Sequence, residues 1–161
     1  MRIKKLITAS LMAALACAAT FIQIPYGVGY VNLGDCIVLL SGWWLGPLYG
    51  ALASGIGPML ADLFMGYYIY APATFVIKAI MAVVAFYSAK MVAKKPLVSS
   101  LFSGILAETV MILGYFIFET IVYDVGMAIP GLFGNSIQGL VSIIFAVLLQ
   151  EINSKKRFWK S

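Results

Sequence analysis

Ten of the eleven basic residues sit in three short clusters, and the chain between those clusters is almost continuously apolar. The clusters are Arg2/Lys4/Lys5, Lys90/Lys94/Lys95 and Lys155/Lys156/Arg157/Lys160. Of 161 residues, 63% are hydrophobic and only 11% are charged. That is too little polar surface to cover a soluble domain of this size. The composition predicts an all-α integral membrane protein, because helices satisfy their own backbone groups in lipid. Basic residues flanking apolar spans stay on the cytoplasmic side. The net charge of +5 therefore reports topology and does not point to nucleic acid.

The apolar pattern divides into six predicted transmembrane helices in one membrane domain spanning 1–161. They cover about 6–24, 36–46, 48–65, 71–92, 97–123 and 132–152. A cleaved signal peptide, or a lipoprotein anchor at Cys17, is the poorer reading of the first span. Ala14-Leu15-Ala16 fits lipoprotein cleavage badly, and more membrane sequence follows. The clusters place the N-terminus, the Lys90–Lys95 loop and the C-terminus in the cytoplasm. The first span then exits near Pro25 and the fourth begins outside near Ala71, so the chain between them crosses an even number of times. Roughly thirty apolar residues at 1.5 Å each span about 45 Å, enough for two short crossings that turn at Gly46-Pro47. Short crossings need tilt, local thinning, or ends sheltered by protein.

Polar residues inside these spans gather at one depth. Lys78 lies about 10 Å inside the outer end of the fourth helix. Tyr115 and Glu119 lie one to two turns inside the fifth, and Asn135 and Gln138 similarly inside the sixth. Asp62 ends the third helix, and Asn32 and Asp35 stand in the outer loop. Helical spacing puts Glu108, Met111, Tyr115 and Glu119 on one face, Asn135 and Gln138 on another, and Thr74 and Lys78 on a third. A charge in hydrocarbon costs at least about 2.5–3.5 kcal/mol on insertion scales, so these faces should turn inward. Lys78 has two readings: an ion pair with Glu119 or Asp62, or part of a polar pocket. Asp35 reads as either a pocket residue or a cap of the second helix. Tyr67, Tyr68 and Tyr70 form an outer rim, as an interfacial belt or as a lid over a flat ligand. Trp43 and Trp44 read as an inner belt.

Other chemistry is excluded by what the sequence lacks. It has no His, only two Cys (Cys17 and Cys36, both in apolar context), and no CxxC pair. A metal site, a disulfide and nucleophile–His catalysis are therefore not expected. There is no GxxxxGK[ST] phosphate loop. The chain reads as neither an enzyme nor a cofactor protein.

Several stretches together resemble one family. They are Tyr30-Val31-Asn32-Leu33-Gly34-Asp35, Gly46-Pro47-Leu48-Tyr49-Gly50, Ala61-Asp62-Leu63, Tyr70-Ala71-Pro72-Ala73-Thr74-Phe75 with Lys78, Gly114-Tyr115-Phe116 and Asn135-x-x-Gln138-Gly139. In order and spacing they are similar to the S component of energy-coupling factor (ECF) vitamin transporters, in the riboflavin/hydroxymethylpyrimidine-type branch. The resemblance implies a multi-pass subunit of a cell membrane, expected bacterial, that binds a small vitamin from outside. It also implies association with a transmembrane coupling subunit and two ATPases, and toppling to release the vitamin inside. By the same resemblance, Ala9 and Ala13 of the small-residue first helix form the docking face, and Pro25 to Asp35 act as a gate. The vitamin site would draw on Lys78, Asn135, Gln138, Tyr115, Glu119, Asn32, Asp62, Thr74 and Tyr68.

A cation near a carboxylate suits pyridoxine or hydroxymethylpyrimidine. An unpaired Lys78 would suit pantothenate, and riboflavin stays open. The competing readings are a self-sufficient ion-coupled carrier, with Glu108 or Glu119 as proton site, and a structural subunit without ligand. No inverted repeat supports the carrier. The topology predicts that a membrane-impermeant thiol reagent applied to intact cells labels a cysteine placed at Tyr26 but not one at Lys94 or Lys156. Labelling at Lys94 overturns the arrangement.

Overall fold

The computed structural model describes residues 2–26, 29–92 and 95–158. Lys94 and Lys160 lie outside the described residues, as do the side chains of Arg2, Lys155, Lys156 and Arg157. The chain forms α1 (Arg2–Phe21), β1 (Gln23–Tyr26), β2 (Gly29–Asn32), α2 (Gly34–Leu45), α3 (Pro47–Met65), α4 (Ala71–Met91), α5 (Pro96–Val122) and α6 (Val125–Phe158). Five helices are long and apolar enough to cross a membrane, and α2 is a shorter apolar helix. The bundle is the expected all-helical, six-helix membrane fold.

At 12 residues, α2 spans about 18 Å, well short of a hydrocarbon core of about 30 Å. It survives at that length because it is the central element, packed on α1, α3, α4 and α6. Most of its residues are buried, Val38 and Leu39 completely. The chain then reverses at Gly46, whose φ of 83° is open to glycine and costly for other residues. Pro47 opens α3 without losing a hydrogen bond that the first turn could have made. At this same end α2 is pinned sideways: the Trp43 and Trp44 indoles donate to Ser103 of α5 (3.0 Å) and Gln150 of α6 (2.6 Å).

Several helix limits differ from the sequence reading, among them the start of α1 at Arg2 and the end of α6 at Phe158. α1 ends at Phe21 because Gln23–Tyr26 pairs antiparallel with Gly29–Asn32, making a β-hairpin of the expected irregular outer loop. α6 begins at Val125, seven residues before the expected Leu132. Asp124 caps its first turn, its carboxylate accepting the Met127 N–H at 2.9 Å. The helix then continues through Pro130 and Gly131.

The α1–α3 contact depends on a missing side chain. A Cβ at Gly57 would strike the Ala13 carbonyl oxygen and come within 2.9 Å of the Ala16 Cβ. The two backbones thus meet directly, the close approach that small residues allow between membrane helices. The outward surface is apolar, with Leu11, Phe64, Ile121 and Leu140 among its exposed side chains.

Candidate functional site

The outer ends of α3 to α6 and the hairpin converge on one enclosed space. Gly66, left-handed at φ 85°, stops α3, and its N–H and that of Tyr67 return to carbonyls of the last turn. This αL cap swings Tyr67 and Tyr70 back over the bundle. Their rings stand 6.2 Å apart, and Tyr67 is 5.0 Å from Tyr30 of the hairpin. Tyr30, Val31 and Asn32 roof a cavity walled by Asp62, Tyr67, Tyr70, Thr74, Tyr115 and Glu119. Gly131, Gly134, Asn135 and Gln138 of α6 complete it. Its volume is about 30 Å³, room for a water molecule or two and not for a vitamin.

Beneath the cavity lies a buried charge network centred on Asp35. The Lys78 ammonium donates to Asp35 Oδ1, and the Gln138 amide donates to Asp35 Oδ2. Gln138 turns its own oxygen to the Asn32 N–H at 2.7 Å, and Asn32 Oδ1 accepts the Gly34 N–H at 2.7 Å. Asp35, Lys78 and Gln138 are almost completely buried. Lys78 also faces the Tyr115 ring, 5.3 Å from its centroid, and the Tyr115 hydroxyl bonds Thr74 at 3.0 Å. Lys78 thus pairs with neither Glu119 nor Asp62. The shared depth of these groups was readable, but which faces turn together is set by packing. Asp35 makes no capping bond to its own helix; its charge in the first turn favours the helix dipole while its oxygens serve α4 and α6.

Two carboxylates border the cavity itself. Tyr30 donates its hydroxyl to Asp62 Oδ1, and Tyr70 donates to Glu119 Oε1 at 3.3 Å. Burial, then the adjacent carboxylate, raises each phenol well above its ordinary range, so both remain donors. The second oxygens, Asp62 Oδ2 and Glu119 Oε2, are buried without a hydrogen-bond partner.

Among the expected site residues, Asn32, Asp62, Thr74, Tyr115, Glu119, Asn135 and Gln138 border the cavity. Lys78 does not; it sits behind the cavity, held by Asp35. Tyr68 does not either. It is 69% exposed and lies along an outer groove with Met59, Leu63 and Phe75. The sequence reading gave no site role to Tyr30 or to Gly131, where a Cβ would collide with the Glu119 carboxylate. The only signal for Gly131 was a Pro-Gly step that reads as a break. Glu108 lies deeper, against Gly139, with both oxygens unpartnered and no share in the cavity.

A second concavity, apolar and about 620 Å³, runs between α1 and α3 on the outside of the bundle. Ala9 and Ala13 border it but do not turn away from this chain's core as expected. Ala9 is only 6% exposed, and Ala13 is half-buried against the core, drawn in by the glycine contact at Gly57. The outward small residues are Ser10, Ala14 and Ala18, spaced by four along the exposed face.

A membrane bundle that holds a polar, tyrosine-walled cavity under a β-hairpin has the form of a substrate-capturing membrane subunit. Its fold is similar to that of a solved S component of a bacterial ECF transporter, with a TM-score of 0.75, 24% identity and 100% of each chain covered. Residues 1–155 match the family described as the S component of ECF-type riboflavin transporters, and the chain belongs to that family. It is thus a multi-pass membrane component of a transporter and not an enzyme. An uncharacterized protein of Pyrococcus woesei is 33% identical over 135 residues, 84% of this chain and 89% of that one.

The Asp35–Lys78 pair predicts a distinct pattern of stability. Lys78→Met or Asp35→Asn alone strands one buried partner and should cost about 3–5 kcal/mol. The double variant should cost clearly less than the two single losses combined, a coupling that chemical denaturation in detergent can measure. Additive losses would mean that the two side chains do not act as a pair.

Proposed function

We propose that this chain captures a small water-soluble vitamin or precursor from outside and delivers it to partner subunits for ATP-driven uptake. The partners are a transmembrane coupling subunit and two ATPases, as the family's multi-component architecture implies. The observation that carries the reading is the enclosed cavity at the outer face, roofed by a hairpin and lined by aromatic and polar side chains. Small-molecule sites have this character, a concave pocket with a few placed polar groups. The roof gates the site: at about 30 Å³ the cavity admits a vitamin only when the hairpin lifts.

The chemistry favours a small hydroxylated heteroaromatic, of the pyridoxine or hydroxymethylpyrimidine type. Tyrosine rings offer stacking faces, and Asn135 and Gln138 stand among the polar groups of the wall. Pantothenate needs a free cation, and Lys78 is already committed to Asp35. Riboflavin, the vitamin of the family's description, asks for a larger opening of the same roof. The groove between α1 and α3, with Ser10, Ala14 and Ala18 on its outward side, is the surface for the coupling subunit.

Two measurements test this reading. Mass spectrometry of compounds released from gently purified protein should identify a bound vitamin, and the same compound should raise the melting temperature. At a hundredfold excess over Kd, linkage contributes about 2.7 kcal/mol. Ala14→Trp should lower uptake in vesicles carrying the whole transporter at least about tenfold, by blocking close helix approach, while the purified subunit binds the vitamin unchanged. No released compound, together with no ligand-dependent shift, refutes the reading.

A further inference from the structure

Resting on the vitamin-binding reading, the two cavity carboxylates define the ligand's charge more narrowly than the family does. Asp62 and Glu119 are 1% and 3% exposed. Each accepts a tyrosine hydroxyl on one oxygen and leaves the other oxygen buried without a partner. Both border the same cavity. They stand at opposite ends of a row of three rings, Tyr30, Tyr67 and Tyr70. The Thr74 hydroxyl, 3.0 Å from the Tyr115 hydroxyl, also faces Asp62.

Among the described residues no cation borders the cavity, and Lys78 is held by Asp35 behind it. The wall thus carries two unpartnered carboxylate oxygens and no cation, beside the neutral Tyr67 hydroxyl and Asn135 amide. A buried acceptor left unpaired is costly, and more so when it is charged. A group that donates hydrogen bonds, and better still carries positive charge, removes that cost. A carboxylate or a carbonyl edge would instead set acceptor against acceptor. Tyrosine faces beside the same oxygens add attraction for a cation.

We infer that Asp62 and Glu119 select an amino-bearing heteroaromatic ligand, over an acid or a ring whose edge is made of carbonyls. The Glu119 carboxylate lies against Gly131 of the cavity wall, where any side chain would displace it. The amine lies against one carboxylate, and a second donor such as a hydroxymethyl group lies against the other.

The test is a binding panel on the intact purified protein in detergent. Amine-bearing probes are 4-amino-5-hydroxymethyl-2-methylpyrimidine and pyridoxamine; the comparison probes are pyridoxine, 4-pyridoxic acid, pantothenate and riboflavin. The expected result is that an amine-bearing probe binds at least about tenfold more tightly than every comparison probe, the difference that a charge-assisted hydrogen bond supplies. Asp62→Asn and Glu119→Gln should each weaken that probe about tenfold without lowering the ligand-free melting temperature. Tightest binding by a neutral or acidic probe, or unchanged affinity in both variants, overturns the charge assignment and leaves the vitamin-binding reading in place. Failure of every probe to bind, with no small molecule released from the protein, overturns both. The panel on the native protein decides the matter even where a variant does not fold.

Discussion

A lysine ammonium that cannot reach water organises this bundle. Lys78 is buried in the fourth helix, and its charge is tolerable in hydrocarbon only beside an opposite charge held in place. Asp35 supplies that charge from the first turn of α2. The pairing has a structural consequence: it fixes the start of a helix too short to cross the membrane alone against a longer helix that can. Gln138 then bonds the second Asp35 oxygen, tying α6 to the same point. Three helices far apart in sequence are thus registered at one depth by one carboxylate. Burying such a pair is weak evidence for net stability but strong evidence for specificity of arrangement, since removing either partner leaves an uncompensated charge.

The same network reaches the roof. Gln138 uses its amide nitrogen on Asp35 and its amide oxygen on the Asn32 backbone, so one side chain joins the ion pair to the hairpin. Tyr30 fastens the hairpin at a second place, through Asp62. Lifting the roof therefore breaks a small set of identifiable bonds, two of them made by side chains that also border the cavity. On the proposed reading, capture and closure are coupled through shared residues: a ligand that engages Asp62 or Gln138 changes the energy of the closed hairpin directly.

Much of this was legible in the sequence because depth along a helix follows from counting residues. The gathering of polar residues at one depth came from that counting, and most of the cavity wall follows from that layer. Azimuth was less legible. Helical spacing puts Thr74 and Lys78 on one face, yet Thr74 borders the cavity and Lys78 turns behind it to Asp35. Long side chains reach for partners across the bundle, and a single sequence does not show those partners. The rotation of α1 was lost similarly: Gly57 on another helix decides which alanines turn inward, so Ala9 is buried and Ala14 is exposed. The start of α6 was missed: Asp124, which caps its first turn, stood in the sequence as a signal that was not used.

Acidic residues inside the bundle outnumber basic ones, although the chain as a whole is basic. Asp35, Asp62, Glu108 and Glu119 are all buried, against Lys78 alone among buried basic residues in the described part of the chain. Asp35 consumes the single cation. Asp62 and Glu119 are each half-satisfied by a tyrosine, and each keeps a buried oxygen without a hydrogen-bond partner in a residue that borders the cavity. A helix-locking role would be served better by full satisfaction, as at Asp35. Partial satisfaction facing an enclosed space instead stores a desolvation cost that only an arriving donor relieves. On the proposed reading the two kinds of carboxylate divide the labour: Asp35 holds the helices in register, and Asp62 and Glu119, kept short of partners, hold affinity in reserve for the ligand.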